Sequence, residues 1–199
     1  MIRYECFEWL APQMTDQLVV TSLSGQRVEW GHLSKREADL NLGSMGNALA
    51  VGIGLALALP HRKVFVFESD GSVLLSLFNL PTLANLNPPN MAVFVFDNEA
   101  YSGTRISYPS ATAGRINLAA MASAAGIEHA VTVSELEDFK KEASGALKAP
   151  GLRFVVCKIE ESVVHRQITR SNVDLLETKY RFVRYLERTE GKPIFQGRG

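Results

Sequence analysis

Two short groups of polar residues in this chain could bind a metal ion. Residues 68–72 include Asp70, residues 97–101 include Asn98, and each group follows a run of at least four apolar residues. If the two apolar runs are neighbouring strands of a parallel sheet, Asp70 and Asn98 lie side by side at its carboxyl edge, where open α/β sheets bind ligands. Their oxygen atoms would suit a hard cation such as Mg²⁺, which proteins usually hold with one or two side chains together with substrate phosphates.

The connection between the two groups decides whether they can meet in this way. The Asp70-Gly71 pair stands between apolar runs, which is also typical of a two-residue hairpin turn. However, the apolar residues after Gly71 recur at helix-like spacing (Leu74, Leu77, Phe78, Leu83). A strand, a crossover helix and a second strand form a parallel unit. The spacing therefore favours neighbouring parallel strands over a hairpin.

Length and composition limit the possible classes of protein. The chain has 199 residues, of which 46% are apolar and 21% are charged, as expected of a soluble globular protein with one large or two small α/β domains. Twenty-one basic residues balance 21 acidic ones, so there is no electrostatic case for binding nucleic acid or an anionic membrane. Residues 48–60 form the longest apolar stretch, which is too short and too glycine-rich to span a bilayer.

The two cysteines, Cys6 and Cys157, are far apart in the sequence and show neither a disulfide framework nor metal-ligand spacing. Cys157 lies in an apolar run and is expected to be a buried strand thiol. The first residues include Glu5 and Glu8, which are not typical of a signal peptide. We therefore expect a cytoplasmic protein.

Apolar runs alternate with helix-like segments as far as residue 160. The predicted strands span residues 18–23, 63–69, 91–96, 127–133 and 152–159. The predicted helices span residues 1–16, 47–59, 73–85 and 118–125, followed by one that starts with a capping box at residues 134–137. This alternation predicts an α/β fold, a single doubly wound and mainly parallel sheet with helices on both faces.

We expect residues 1–160 to form one domain and residues 161–199 a C-terminal helical extension. The tail helix would be capped by residues 171–174, and it would carry Leu176, Tyr180 and Val183 on one stripe. Its arginines could form a solvated face or contact another subunit.

Three further segments could lie at the carboxyl edge of the sheet. Ser24 and Gly25 follow the first strand, either as an anion-binding loop or as an ordinary turn into a helix. Residues 98–114 show no sustained periodicity and predict a long loop. The tetrapeptide Gly43-Ser44-Met45-Gly46 precedes an Ala/Leu helix, and its two glycines would let backbone approach a ligand while one bulky side chain projects.

Together, these features resemble the cofactor-binding half of 2-oxoacid decarboxylases that depend on thiamine diphosphate (ThDP). The Gly-Ser-Met-Gly loop, the Ala-rich helix, the strand, Asp-Gly-Ser and then Asn98 follow one another as in that family, most closely in the phosphonopyruvate and sulfopyruvate decarboxylase group. The resemblance covers residues 15–160. One position departs from the family motif, because Ser69 stands where the motif has its first Gly.

The resemblance implies roles for individual residues. Asp70, Asn98 and the backbone carbonyl of Ala100 would bind Mg²⁺, which bridges to the ThDP diphosphate. Met45 would hold the cofactor in its bent form, and the Gly43 backbone would accept a hydrogen bond from its aminopyrimidine. The other expected cofactor contacts are Ser44 in the same loop, Gly71 and Ser72 at the diphosphate, and the Ser24-Gly25 turn.

One part of the family's machinery has no counterpart in this chain. Members of the family activate ThDP with a Glu that belongs to a separate pyrimidine-binding domain of similar size. The resemblance therefore implies a hetero-oligomer in which a pyrimidine-binding partner supplies this Glu, acting on a 2-oxoacid substrate. We assign no catalytic residue in this chain and expect it to be inactive alone. Three alternatives remain: an acetolactate-synthase-like carboligase, the cofactor subunit of a 2-oxoacid oxidoreductase, and a non-catalytic binding relative.

Overall fold

Six parallel strands form one sheet at the centre of the molecule in the computed structural model, which describes residues 1–101, 107–160, 168 and 174–195. Across the sheet the strands follow the order β2-β1-β3-β4-β8-β7. They are β1 (Leu18–Thr21), β2 (Asp39–Asn41), β3 (Val64–Ser69), β4 (Met91–Asp97), β7 (Ala130–Val133) and β8 (Arg153–Lys158). The short strands β5 (Ala100–Tyr101) and β6 (Tyr108–Pro109) form a separate antiparallel pair.

Helices cover both faces of this sheet. One face packs against α3 (Ala48–Ala58), α4 (Asp70–Leu74), α5 (Asn79–Leu86), α6 (Leu118–Ala124) and α8 (Leu175–Glu190). The other face packs against α1 (Arg3–Leu10), α2 (Gly25–Leu33) and α7 (Leu136–Lys148). The predicted fold class, an α/β sheet with helices on both faces, is therefore confirmed.

The central strands are buried along their whole length. All residues of β3 and β4 are buried, as their continuous apolar sequences predict for strands covered on both sides. Phenylalanines of these strands meet α1 on one face, where the rings of Phe7 and Phe96 lie 4.8 Å apart between centroids. Cys157 is a buried free thiol, as expected.

The segment after the Asp70 turn is not the single helix that was predicted for residues 73–85. The structure forms the short helix α4 and then α5, which begins at Asn79. Three strands also escaped prediction: β2, which is only three residues long, and the pair β5 and β6 within the predicted long loop 98–114. Such short strands carry too few residues for a periodic pattern, so tertiary pairing alone reveals them.

Two predicted features of helices were wrong in detail. No side-chain cap was found at the start of α7, where Glu135 occupies the N-cap position in place of the predicted capping box. In α8 the buried residues are Thr178, Phe182 and Leu186. The predicted stripe instead faces solvent for much of its length, since Leu176 is 61% exposed and Tyr180 is 50% exposed.

The tail helix α8 packs on the same core as the rest of the chain. Phe182 and Leu186 belong to the buried cluster on the α3 face of the sheet. The side chain of Arg62 holds the helix end, donating to Glu190 Oε1 at 2.9 Å and to the Tyr185 hydroxyl at 2.7 Å. The proposed division at residue 160 remains a prediction.

Candidate functional site

Four loops meet at the carboxyl edge of the sheet because they follow four adjacent strands. Ser24-Gly25 follows β1, the tetrapeptide 43–46 follows β2, Asp70-Gly71-Ser72 follows β3, and residues 98–100 follow β4. The chain continues from β1 to β2 on one side and returns to β3 on the other, so the strand order reverses between β1 and β3. Such a switch point is where open α/β sheets bind ligands.

Hydrogen bonds join three of these loops to one another. Leu23 N–H donates to the Ser44 carbonyl at 3.1 Å. Gly46 N–H donates to Ser72 Oγ at 2.8 Å. The first three loops are therefore hydrogen-bonded into one connected unit.

Asp70 is completely buried at the centre of this edge. Its Oδ2 accepts a hydrogen bond from Ser110 Oγ at 2.5 Å and lies 3.1 Å from Thr112 Oγ1, whose single proton is shared with Asp97. Its Oδ1 is buried with no hydrogen-bond partner. Burial raises the pKa of Asp70 and the nearby Asp97 carboxylate raises it further, whereas the Ser110 and Thr112 hydroxyls lower it. A buried carboxylate oxygen without a partner is costly, and a bound cation would compensate for it.

A second buried carboxylate, Asp97, lies beside Asp70 and is paired with a lysine. The Thr112 hydroxyl also contacts Asp97 Oδ1 at 2.7 Å, so one side chain links the two carboxylates. Lys158 Nζ pairs with Asp97 Oδ2 at 2.8 Å and with Glu99 Oε1 at 2.7 Å. Because Asp97 is paired with Lys158, Asp70 is the one of these two buried carboxylates that is left for a bound cation.

The turn after β4 presents backbone atoms to the same edge. Asn98 is half-buried, and Glu99 adopts a left-handed conformation with φ of 62°, which is uncommon for a residue other than glycine. Ala100 lies opposite Pro109 in the β5–β6 pair. Pro109 has no N–H, so it cannot donate to the Ala100 carbonyl.

The tetrapeptide 43–46 has an open side and a buried side. Gly43 is exposed, Ser44 and Met45 are half-buried, and Gly46 is buried with φ of 80°. Ser44 Oγ accepts from the Asn47 side chain at 2.9 Å. A side chain at Gly43 would collide with Leu175 of α8, whose Cδ1 lies 2.5 Å from the position of an added Cβ. The start of the tail helix therefore contacts the predicted cofactor loop.

The Asp70 turn is equally crowded on its other side. An added Cβ at Gly71 would lie 2.3 Å from the Tyr101 ring, so a larger residue there would displace Tyr101. Ser69 caps α4, because its side chain accepts from Ser72 N–H at 3.3 Å. Its φ of −106° needs no glycine, so the departure from the family motif does not strain the turn.

The Ser24-Gly25 turn leads directly into α2, with Ser24 as the N-cap residue but without a side-chain cap bond. Within the predicted loop 98–114, Tyr101 packs on Gly71, and residues 102–106 lie outside the described residues. Ser110, Thr112 and Lys158 complete the surroundings of the two carboxylates and were not predicted from the sequence. No local pattern marks these three residues, since they reach the site through the fold.

A comparison with protein families identifies this arrangement. The model of the C-terminal TPP-binding domain of thiamine pyrophosphate enzymes matches residues 29–157, where TPP is another name for ThDP. The chain belongs to the thiamine pyrophosphate enzymes. The matched region contains the tetrapeptide, Asp70, Asn98 and the strands that carry them.

Relatives of this TPP-binding chain differ in length. The sulfopyruvate decarboxylase subunit beta of Methanocaldococcus jannaschii is 31% identical over 176 residues, which cover 87% of this chain and 90% of that subunit. The phosphonopyruvate decarboxylase of Streptomyces hygroscopicus is 31% identical over 151 residues, which cover 75% of this chain but 37% of that enzyme. The chain therefore spans nearly all of the first relative and about a third of the second.

A solved structure shares the fold of this TPP-binding chain. Benzoylformate decarboxylase from Polynucleobacter necessarius superposes with a TM-score of 0.66 at 19% identity, over 80% of this chain and 33% of that one. Within the described ranges, no helix is long and apolar enough to cross a membrane. Over the same ranges, no group of three or more His, Cys, Asp and Glu side chains is placed to hold a metal ion.

The residues at the sheet edge fit Mg²⁺ held together with a diphosphate. Asp70 offers a bare carboxylate oxygen, and Asn98 and Ala100 follow on the adjacent strand. Mg²⁺ takes few protein ligands and keeps phosphate and water oxygens for the remainder. A site built from one carboxylate, one amide and one carbonyl therefore suits this ion better than a cation that needs a full protein cage.

Proposed function

We propose that this chain is the ThDP- and Mg²⁺-binding subunit of a two-component 2-oxoacid decarboxylase. A pyrimidine-binding partner of similar size would complete the active site and supply the Glu that activates the cofactor. The relatives named sulfopyruvate and phosphonopyruvate decarboxylase suggest a 2-oxoacid that carries a sulfonate or phosphonate group. The proposal also makes the isolated chain inactive.

The observation that carries this proposal is the bare oxygen of Asp70 in a TPP-binding domain. Its Oδ1 is buried without a partner at the switch point of the sheet, while the neighbouring Asp97 is already paired with Lys158. Asp70 Oδ1, the Asn98 side chain and the Ala100 carbonyl would bind Mg²⁺. Gly71 and Ser72 would lie along the diphosphate, and Ser24 and Gly25 border the same edge.

The other loop would orient the organic part of the cofactor. Met45 would support its bent form, and the Gly43 carbonyl would accept from its aminopyrimidine, with Ser44 holding the loop. When bound, ThDP supplies the carbon nucleophile and the electron sink for the loss of CO₂ from a 2-oxoacid. Tyr101, which packs on Gly71, would limit the access of water to the diphosphate.

The two-component character is supported by a relative that is named as a subunit. This chain matches 90% of the sulfopyruvate decarboxylase subunit beta, whereas it matches 37% of the phosphonopyruvate decarboxylase. The Glu that activates the cofactor would come from the partner subunit.

The experiment is to purify this chain with an affinity tag from its own cells and to identify what remains bound in stoichiometric amount by mass spectrometry. We expect a second chain of similar size, and CO₂ release from a sulfonated or phosphonated 2-oxoacid by the complex but not by the isolated chain. The Asn98→Ala variant serves as the control, because it should retain the partner while losing Mg²⁺-dependent turnover. A homogeneous chain that turns over alone would refute the proposal.

The same preparation separates two of the alternatives from the proposed decarboxylase. A carboligase would yield a longer hydroxy-oxo acid in addition to CO₂, so product analysis distinguishes it from a decarboxylase. A non-catalytic relative would bind ThDP weakly or not at all in the presence of Mg²⁺, which calorimetry measures directly.

A further inference from the structure

A further buried carboxylate, Glu68, bonds to the segment that follows the tetrapeptide 43–46 and takes no part in the proposed metal site. Glu68 is completely buried in β3. Its Oε1 accepts from Leu49 N–H, in the first turn of α3, at 3.0 Å, and its Oε2 is buried without a partner. Burial raises the pKa of Glu68, while polar groups of Ser72, Ser22 and Leu49 oppose that shift.

Ser72 makes a second hydrogen bond to the segment that includes the end of the tetrapeptide 43–46. It is completely buried, and its Oγ accepts from Gly46 N–H at 2.8 Å. Glu68 and Ser72 thus lie on the two sides of Asp70 in the sequence and bond to two amides just after Met45. These two bonds are direct side-chain connections between the Asp70 turn and the segment 46–49 that follows Met45.

The chemistry of Glu68 calls for a role beyond packing. A buried carboxylate is costly unless it is fully hydrogen-bonded, and an apolar residue of similar volume is often at least as stabilising as a buried charge. The negative charge does lie favourably at the N-terminal turn of the 11-residue helix α3. The hydrogen bond that Glu68 makes is to the backbone amide of Leu49, three residues after the tetrapeptide 43–46. Glu68 is therefore placed to fix the position of that loop.

We propose that Glu68 and Ser72 are positioning residues that hold the Gly43–Gly46 loop against the Asp70 turn. Their two bonds set the spacing between Met45, which would support the organic part of the cofactor, and Asp70, which would bind the metal. This inference rests on the proposed function, because the spacing matters only if one ligand contacts both loops. Neither residue needs to touch the metal in order to act in this way.

The test compares ThDP with inorganic diphosphate, because only ThDP reaches both loops. Calorimetry with the purified complex and Mg²⁺ would measure the affinity for each ligand in wild type, Ser72→Ala and Glu68→Gln. We expect ThDP affinity to fall about tenfold in Ser72→Ala and roughly threefold in Glu68→Gln. Diphosphate affinity should stay within about twofold in Glu68→Gln and should fall less than ThDP affinity in Ser72→Ala, since Ser72 also borders the diphosphate. The two variants remove different bonds to the same segment, so the inference does not depend on one variant folding.

Amide hydrogen exchange gives a second measurement that needs no ligand. Without cofactor, the Gly46 amide should exchange about tenfold faster in Ser72→Ala, since it loses its acceptor. The matched control is Ser34→Ala. Ser34 is also a buried serine with a hydrogen-bonded hydroxyl, but it lies at the C-terminal end of α2 and donates to Asp39. It should change stability without changing the ratio of the two ligand affinities.

The outcomes separate this inference from the proposed function. Equal losses of ThDP and diphosphate affinity would mean that Ser72 acts on the phosphates directly, and unchanged ThDP affinity in both variants would mean that the bonds are merely structural. Either result overturns the inference alone. A wild-type complex that binds neither ligand overturns the proposed function and the inference with it.

Discussion

Replacing Asp70 with Asn should change stability in opposite directions with and without cofactor. Asp70 holds a buried oxygen, Oδ1, that has no partner, and it lies beside the Asp97 carboxylate, which raises its pKa. The Asp70→Asn variant keeps one oxygen for the Ser110 and Thr112 hydroxyls but removes the charge. An unsatisfied buried neutral group costs less than a charged one, so we expect the ligand-free chain to gain about 1 kcal/mol.

With cofactor bound, the wild type should be more stable than the Asp70→Asn variant. A gain of about 1 kcal/mol corresponds to roughly 2–4 °C in melting temperature for a chain of this size. At ThDP and Mg²⁺ concentrations near 100 times the dissociation constant, the wild type should gain about 2.7 kcal/mol from binding. The Asp70→Asn variant should gain almost nothing because it has lost the charged metal ligand.

Differential scanning fluorimetry with and without Mg²⁺ and ThDP tests both halves of this prediction. The exposed carboxylate Asp138 in α7 provides a matched control, and Asp138→Asn should stay within about 0.5 kcal/mol of wild type in both conditions. The reasoning is refuted if Asp70→Asn melts below wild type without ligand, or if Mg²⁺ and ThDP stabilise it as much as they stabilise wild type.

Two further predictions concern buried charges away from the site. Arg3 pairs with the fully buried Glu29 through two bonds of 2.8 and 2.9 Å, so Arg3→Ala should lower the free energy of unfolding by about 3–5 kcal/mol in a urea titration. The control is the surface variant Arg184→Ala, which should lower it by less than about 1 kcal/mol. Equal losses in the two variants would contradict the argument from burial. Burial raises the pKa of Asp39, although Arg36 and Ser34 oppose the shift. The folded state therefore keeps this proton longer than the unfolded state, and stability should fall as pH rises above the ordinary value of 3.8. Asp39→Asn should lack this fall in urea titrations from about pH 4 to about pH 7, whereas parallel profiles would show that Asp39 does not cause it.

The prediction of the fold succeeded where the sequence carries a long periodic signal. The strands β3 and β4 begin with continuous apolar runs, and the helix α3 is an apolar segment rich in Ala and Leu, so their types and approximate ends followed from local pattern. The face of α8 was assigned wrongly because its sequence offers apolar residues on more than one side. Which side is buried depends on the position of β2, whose three residues gave no signal.

The site was predictable only in its parts. Asp70 and Asn98 could be identified because carboxylate and amide groups directly after buried strands are typical of ligand-binding edges. Ser110 and Thr112 could not, because they lie 40 and 42 positions from Asp70 in the sequence within a segment that has no periodicity. Likewise, nothing local indicates that Ser72 bonds to Gly46 or that Leu175 packs on Gly43.

The sequence by itself determined the residue types, the order of the elements and the family resemblance, because these depend on local spacing and composition. Only the tertiary structure decided which groups meet. The strand order brings four loops to one edge of the sheet. In that arrangement Asp97 pairs with Lys158, and Asp70 keeps a buried oxygen without a partner. The physical reason is that hydrogen-bond satisfaction and desolvation depend on neighbours distant in the chain. The charge available for a cation therefore becomes visible only when all of those neighbours are in place.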